Sequence, residues 1–163
     1  MPKFYTGVGA RKTPQDVLDL MSRIAFRLAQ AGWKLRSGGA EGADLAFEVG
    51  SAGRCEVFRA QDATDEAMAI AARFHPAWSR CGGYVKRLHG RNAFQVLGRD
   101  LKTPSSFLLC WTPDGVIDHE HRTVTTGGTG TAISIASAYG VPVFNLARPD
   151  HRKRIETWLN SPY

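Results

Sequence analysis

Three segments of this chain share one design, in which an apolar strand-like run leads into glycines and the glycines lead into a helix. They are residues 5–11 (Tyr-Thr-Gly-Val-Gly-Ala-Arg), 37–44 (Ser-Gly-Gly-Ala-Glu-Gly-Ala-Asp) and 126–131 (Thr-Gly-Gly-Thr-Gly-Thr). Glycine lets the backbone come within hydrogen-bond distance of an oxyanion, and the helix that follows presents unpaired amides and the positive end of its dipole. The pattern therefore predicts turns that bind phosphate groups.

Strand-like and helix-like segments alternate along the 163 residues, which is typical of a parallel sheet covered by helices on both faces. We expect one α/β domain over residues 1–163, a three-layer α/β/α Rossmann-like fold with a mainly parallel sheet of about five strands. The strand-like runs lie at residues 3–7, 33–37, 55–58, 106–111 and 141–146. In such a sheet all three glycine-rich turns lie at the carboxyl edge, where these folds bind ligands.

Periodicity and capping signals also predict where the helices begin. Thr13 is the expected cap of the first helix, with Pro14 in its first turn and Asp16 at the capping-box position. Residues 77–84 read as a surface loop, and the next helix is expected from Leu88 to Leu97.

Composition and charge limit the classes of partner. A formal net charge of +6 favours polyanions such as nucleotides or nucleic acid, although surplus surface lysine and arginine would give the same charge without any site. No stretch approaches the ~18 consecutive apolar residues that a membrane span needs. Three widely spaced cysteines and no apolar leader segment favour a reduced, cytoplasmic setting without a membrane partner.

Several charged side chains lie close to the glycines. Arg11 follows the first turn and is able to hold a phosphate in bidentate fashion, or to pair with a surface carboxylate. Glu41 and Asp44 either complement a helix N-terminus or contact a ribose hydroxyl. Arg91 and Asn92 follow a basic run of Lys86, Arg87 and His89, and this run is either a solvated face or a polyanion contact.

Other motifs exclude alternatives. None of the turns ends in Gly-Lys-Ser/Thr, and Lys12 stands where the dinucleotide fingerprint has its third glycine, so an ordinary dehydrogenase is not expected. His119 and His121 alternate on one face, but two ligands do not make a zinc site, and we assign no metal and no cofactor. Trp111 and Tyr139 either stack a base or belong to the core.

The glycine-rich turns resemble those of the SLOG superfamily, which includes the Rossmann-like domain of DNA-processing protein A and the LOG ("lonely guy") phosphoribohydrolases. The resemblance rests on Gly-Val-Gly-Ala-Arg at 7–11, on Ser-Gly-Gly-Ala-Glu-Gly-Ala-Asp at 37–44 as the most specific match, on Arg91-Asn92, and on Gly-Gly-Thr-Gly-Thr at 127–131. It spans residues 4–146. The chain looks like a single-domain relative of DNA-processing protein A.

The resemblance implies a sheet that binds nucleotides or single-stranded DNA at its carboxyl edge, often as a dimer. Two departures limit it. LOG hydrolases place a catalytic glutamate directly after Gly-Gly-x-Gly-Thr, whereas Ala132, Ile133 and Ser134 follow here. Complete DNA-processing proteins carry further domains for which 163 residues leave no room. The departures disfavour hydrolysis of nucleoside monophosphates and a full recombination role.

The sequence thus predicts binding of a nucleotide or nucleotide-derived ligand, with single-stranded DNA binding and LOG-like phosphoribohydrolase activity as alternatives. An enzymatic role is disfavoured, and no catalytic residue is assigned. The predicted ligand-binding and phosphate-binding residues are Gly7, Gly9, Ala10, Arg11, Ser37, Gly38, Gly39, Ala40, Asp44, Arg91, Asn92, Gly127, Gly128, Thr129, Gly130 and Thr131.

Overall fold

The computed structural model describes residues 3–162 and contains a five-stranded sheet in the order β3-β2-β1-β4-β5. Every pair of neighbouring strands is parallel. The strands are β1 (Lys3–Gly7), β2 (Trp33–Ser37), β3 (Cys55–Val57), β4 (Leu108–Cys110) and β5 (Val143–Asn145). In the central strand β1, Tyr5 pairs with Leu35 of β2 on one side, and Thr6 pairs with Leu108 of β4 on the other. The predicted Rossmann-like α/β fold is confirmed.

Six α-helices cover the described part of the sheet. They are α1 (Gln15–Gln30), α2 (Ala43–Ser51), α3 (Asp65–Ala72), α4 (Gly83–Leu97), α5 (Thr129–Ala138) and α6 (Pro149–Asn160). Short 3-10 turns occur at Ala60–Asp62, Trp78–Arg80 and Val124–Thr126. In the described residues no helix has the length and apolar character that a membrane crossing requires.

The sheet separates two hydrophobic clusters, because successive strand residues point to opposite faces. On β4, Leu108 packs in the cluster formed with α3, α4 and α5, whereas the next residue, Leu109, packs in the cluster formed with α1, α2 and α6. Both leucines are fully buried. The central strands are therefore covered on both faces, as the unbroken apolar run of β4 predicts.

Two helix starts differ from the sequence prediction. Pro14, not Thr13, is the N-cap of α1, and the Thr13 hydroxyl instead donates to the carbonyl oxygen of Ala10 within the first glycine-rich turn. Helix α4 begins at Gly83 rather than at Leu88, with the Lys86 amide already bonded to the Gly82 carbonyl. Paired glycines are a turn signal, and here they mark only the entry to the helix.

Candidate functional site

A cleft of about 1040 Å³ opens at the carboxyl edge of the sheet, and all three glycine-rich turns line it. Twelve of the predicted residues lie in its wall: Gly9, Ala10, Arg11, Gly38, Gly39, Ala40, Asp44, Arg91, Asn92, Gly127, Gly128 and Thr129. Segments far apart in sequence meet here because parallel strands all end at the same edge.

The first two turns pack against each other so closely that side chains would not fit between them. A Cβ atom at Gly9 would lie 2.6 Å from the Cβ atom of Ala43, the first residue of α2. Gly42 adopts a φ of +82°, and a Cβ atom there would lie 3.3 Å from the Arg11 backbone. Gly9 is needed because a side chain would not fit there, and Gly42 is needed for the same reason and for its positive φ.

The helices that follow the three turns have no side-chain cap. Pro14 precedes α1, Gly42 precedes α2 and Gly128 precedes α5, and none of them caps with a side-chain hydrogen bond. Helix α3 offers a contrast, since the Thr64 hydroxyl accepts from the Ala67 amide there. Uncapped helix N-termini retain amides that an anion can satisfy.

Arg91 and Asn92, neighbours on α4, connect the second turn to the third. The Nη1 atom of Arg91 donates to the Gly38 carbonyl oxygen at 2.9 Å, and the Asn92 amide donates to the Gly128 carbonyl oxygen at 3.4 Å. The Nε atom of Arg91 is buried and has no hydrogen-bond partner among residues 3–162. This arginine therefore orders the wall of the cleft and keeps an unused donor.

Cations surround the second turn. A Cβ atom at Gly39 would lie 2.8 Å from Nη1 of Arg59, so that guanidinium covers the glycine. On the neighbouring residue, a Cβ atom at Gly38 would lie 3.1 Å from Cζ of Arg91. Arg11 and Lys12 are exposed and line the cleft from the first turn. Positive charge dominates the described lining, which favours an anionic occupant.

Asp44 is the one carboxylate among the described residues that line the cleft. Its side chain is buried, with the residue 4% exposed, and Oδ2 accepts from the Ala40 amide at 3.2 Å. Burial raises the pKa of Asp44 to about 7, although the Arg91 charge and the Ala40 hydrogen bond act in the opposite direction. Near neutral pH this carboxyl group exists in both protonation states.

Two further groups in the cleft are suited to recognition. Gln95 is 1% exposed, and neither its side-chain nitrogen nor its side-chain oxygen has a hydrogen-bond partner among the described residues. Trp111 lines the cleft as well, whereas Tyr139 lies outside it and accepts a hydrogen bond from Arg73 at 2.9 Å. An unpaired buried amide is costly unless a water or ligand satisfies it.

The structure places four predicted residues behind the lining rather than in it. A Cβ atom at Gly7 would lie 2.7 Å from the Phe47 ring, and the Ser37 hydroxyl donates to Glu48 at 2.7 Å. Gly130 lies against the Arg122 side chain, and the Thr131 hydroxyl is 2.9 Å from Nδ1 of His89. Gly7, Ser37, Gly130 and Thr131 thus support the turns through packing and hydrogen bonds.

The two histidines that the sequence puts on one face of a strand lie in a bend and turn, and they have different partners. Nδ1 of His119 lies 2.7 Å from the Ser134 hydroxyl, and Nδ1 of His121 lies 2.7 Å from an Asp118 oxygen. The hydrogen bond from His121 lowers the pKa of Asp118.

Sequence reasoning missed several lining residues: Arg59, Gln61, Tyr84, Gln95 and Pro113. Arg59 and Pro113 follow β3 and β4, and the rule that ligands bind beyond the carboxyl ends of strands was the signal that identifies them. Tyr84 lies in the cleft lining as part of the first turn of α4, which the sequence prediction placed in a loop because it started this helix at Leu88. His89 is buried, and burial lowers the pKa of its ring to about 4, with the charges of His75 and Arg122 acting in the same direction.

The fold has a solved counterpart. The chain matches a structure of DNA processing protein A from Helicobacter pylori, described by its single-stranded DNA binding mode, with a TM-score of 0.57 and 14% sequence identity over 98% of this chain and 79% of the other. No protein-family model matches the chain, and no curated protein matches it in sequence. This chain therefore has a fold like that of DNA processing protein A.

Proposed function

We propose that the cleft binds a nucleotide or a nucleotide-derived ligand through its phosphate groups. The observation that carries the proposal is the convergence of three glycine-rich turns, each leading into a helix without a side-chain cap, and of the exposed residues Arg11 and Arg59 on one cleft. Backbone amides and the helix dipole favour an anion, and arginine adds charge-assisted hydrogen bonds.

In this proposal the phosphate rests on the backbone of Gly9, Gly39 and Gly128, with Arg11 and Arg59 neutralising its charge. The remaining lining suits a base and a sugar. The Gln95 amide offers two donors and an acceptor that no described residue uses, and Trp111 presents an aromatic surface for stacking. The phosphate and the nucleoside would then occupy different ends of one cleft.

Calorimetric titration with nucleoside monophosphates, NAD and ADP-ribose tests the proposal. With the best ligand, Arg59→Ala and Arg11→Ala should each lose about 1.5–3 kcal/mol of binding free energy, roughly 10- to 150-fold in affinity, because each removes hydrogen bonds to a charged group. Arg23→Ala is the matched control, since Arg23 is exposed on α1 and lies outside the cleft lining. Equal losses in all three variants, or none in the first two, would refute this phosphate position.

Single-stranded DNA is the second candidate, and one observation favours it: the fold neighbour is described by its binding of single-stranded DNA. The net charge of +6 and the basic residues Lys86 and Arg87 on the cleft-lining helix α4 are consistent with a polyanion. DNA binding predicts a log–log salt plot with a slope near −0.7 per phosphate contacted. A melting-temperature screen at two salt concentrations separates the candidates, because a bound mononucleotide should shift the transition with little salt dependence.

Incubation with the common nucleoside monophosphates, followed by chromatography of the free bases, tests for LOG-like hydrolysis. Cleavage of an N-glycosidic bond by residues of this cleft would require Asp44, the described carboxylate in its lining, as the acid or the stabilising group. Free base released from a nucleoside monophosphate by the wild type but not by Asp44→Asn would establish an enzyme. Nucleotides that stay intact would contradict hydrolysis and agree with binding alone. A homodimer, a cytoplasmic location and the single-domain organisation stay predictions.

A further inference from the structure

Three potential metal ligands meet beside the cleft, although they come from different parts of the chain. His75 follows α3, Cys81 follows the 3-10 turn Trp78–Arg80, and His89 lies within α4. One ligand atom from each lies within 4.8 Å of the other two. We propose that His75, Cys81 and His89 bind a transition-metal ion of the zinc class at the wall of the cleft.

The distances are close to those of a tetrahedral site. With zinc–nitrogen bonds of ~2.0 Å and a zinc–sulfur bond of ~2.3 Å, two ligand atoms lie about 3.3–3.6 Å apart. The Cys81 sulfur is 3.8 Å from Nε2 and 3.9 Å from Nδ1 of His75, and the two histidine rings have centroids 4.4 Å apart. Side-chain rotations that turn one His75 nitrogen toward the sulfur and shorten these separations would bring the three donors into bonding range.

The donor set selects the class of ion. A thiolate with two imidazoles suits zinc and similar borderline or soft ions, whereas calcium and magnesium require oxygen ligands. Three protein ligands leave one position open, as in catalytic zinc sites. Since His89 itself lines the cleft, that position is available to water or to an anionic group of a bound ligand.

Outer contacts orient one ligand and oppose the other. Nδ1 of His89 lies 2.9 Å from the Thr131 hydroxyl, the kind of partner that fixes the ring of a metal-binding histidine and leaves Nε2 for the ion. Nδ1 of His75 accepts a hydrogen bond from the Ala77 amide. Coordination through Nδ1 uses that lone pair, and coordination through Nε2 places the proton on Nδ1, so either one removes the hydrogen bond. Binding therefore breaks one local hydrogen bond, a cost that is small compared with the free energy of binding at structural zinc sites.

Arg122 is, together with Arg91, one of the nearby charges that oppose a cation beside His89. Its Nη2 atom lies 3.3 Å from the Thr131 hydroxyl, the same oxygen that contacts His89. The Cys81 thiolate would reduce the charge of a bound divalent ion from +2 to +1. The ion and Arg122 together would then form a positive corner of the cleft that accepts an anion at the open position.

Cobalt titration tests the proposal without any nucleotide. The whole chain is treated with a chelator, desalted and titrated with Co²⁺, and absorption is recorded for sulfur-to-cobalt charge transfer and for tetrahedral d–d bands. We expect one Co²⁺ to bind per chain with a charge-transfer band, and we expect Zn²⁺ to displace the Co²⁺ and remove the band. Cys81→Ser should abolish the charge-transfer band, and His89→Ala and His75→Gln should each weaken affinity by about 100-fold or more, beyond the usual loss for an outer-shell partner.

Matched controls exclude binding elsewhere. Cys55→Ser changes a half-buried thiol on β3, and His121→Ala changes an exposed histidine, so both variants should keep the band and the affinity. The proposal is overturned if the wild type shows no sulfur-to-cobalt band, if the band survives in Cys81→Ser, or if Cys55→Ser abolishes it. Because the readout is the metal itself, loss of nucleotide binding would not affect this result.

Discussion

Replacing Asp44 by Asn should remove a pH dependence of stability that originates in the cleft wall. Burial raises the pKa of Asp44 from 3.8 to about 7 in the folded chain. Between these values the unfolded state is ionised and the folded state holds a proton, so the unfolding free energy falls as pH rises. Arg91 attracts the carboxylate and Glu48 repels it, and both effects are smaller than the desolvation.

The expected magnitude follows from the width of that interval. Each pH unit of difference corresponds to about 1.4 kcal/mol, so roughly three units correspond to about 4 kcal/mol. The Asn side chain keeps an oxygen that can accept from the Ala40 amide, while it carries no charge at any pH. The stability of Asp44→Asn relative to the wild type should therefore increase by about 4 kcal/mol between pH 4 and pH 8.

Chemical denaturation at half-unit pH steps measures the difference, and carboxyl carbon NMR of Asp44 gives the titration midpoint directly. Glu41→Gln is the matched control, because Glu41 belongs to the same turn and is exposed. That variant should follow the wild-type pH profile. A stability difference between Asp44→Asn and the wild type that stays constant across this range, or an NMR midpoint below about 5, would refute the desolvation argument.

Two further substitutions test the support behind the cleft. Gly7→Ala should destabilise the fold by about 1–3 kcal/mol in denaturant titrations, because its Cβ would lie 2.7 Å from the Phe47 ring, whereas Gly83→Ala, with nothing within 4 Å, should be tolerated. Asn145→Ala should lower the unfolding free energy by at least about 2 kcal/mol, since this fully buried amide bonds to both the backbone and the hydroxyl of Thr112. A wild-type melting temperature in Gly7→Ala or in Asn145→Ala would contradict the prediction for that variant.

Local signals in the sequence were enough for the architecture. Runs such as 33–37 and 106–111 are strand-like by their own composition, and the glycines that follow strands mark where the chain turns into helices. Parallel alternation then places all the turns at one edge, which is why the convergence of Gly9, Gly39 and Gly128 on one cleft was predictable. Helix starts were less predictable, because the Thr13 hydroxyl bonds to its own turn instead of capping α1.

Position in the tertiary structure decided the chemistry of the cleft. Arg59 covers Gly39, the Gln95 amide is buried without a described partner, and Asp44 has a raised pKa. None of these properties has a local signal, because burial and charge at a side chain depend on segments that pack against it from elsewhere in the chain. The sequence by itself determined the fold and the edge of the sheet where the cleft opens. Only the tertiary structure decided which side chains line that cleft and with what charge, since desolvation and proximity arise when distant segments pack together.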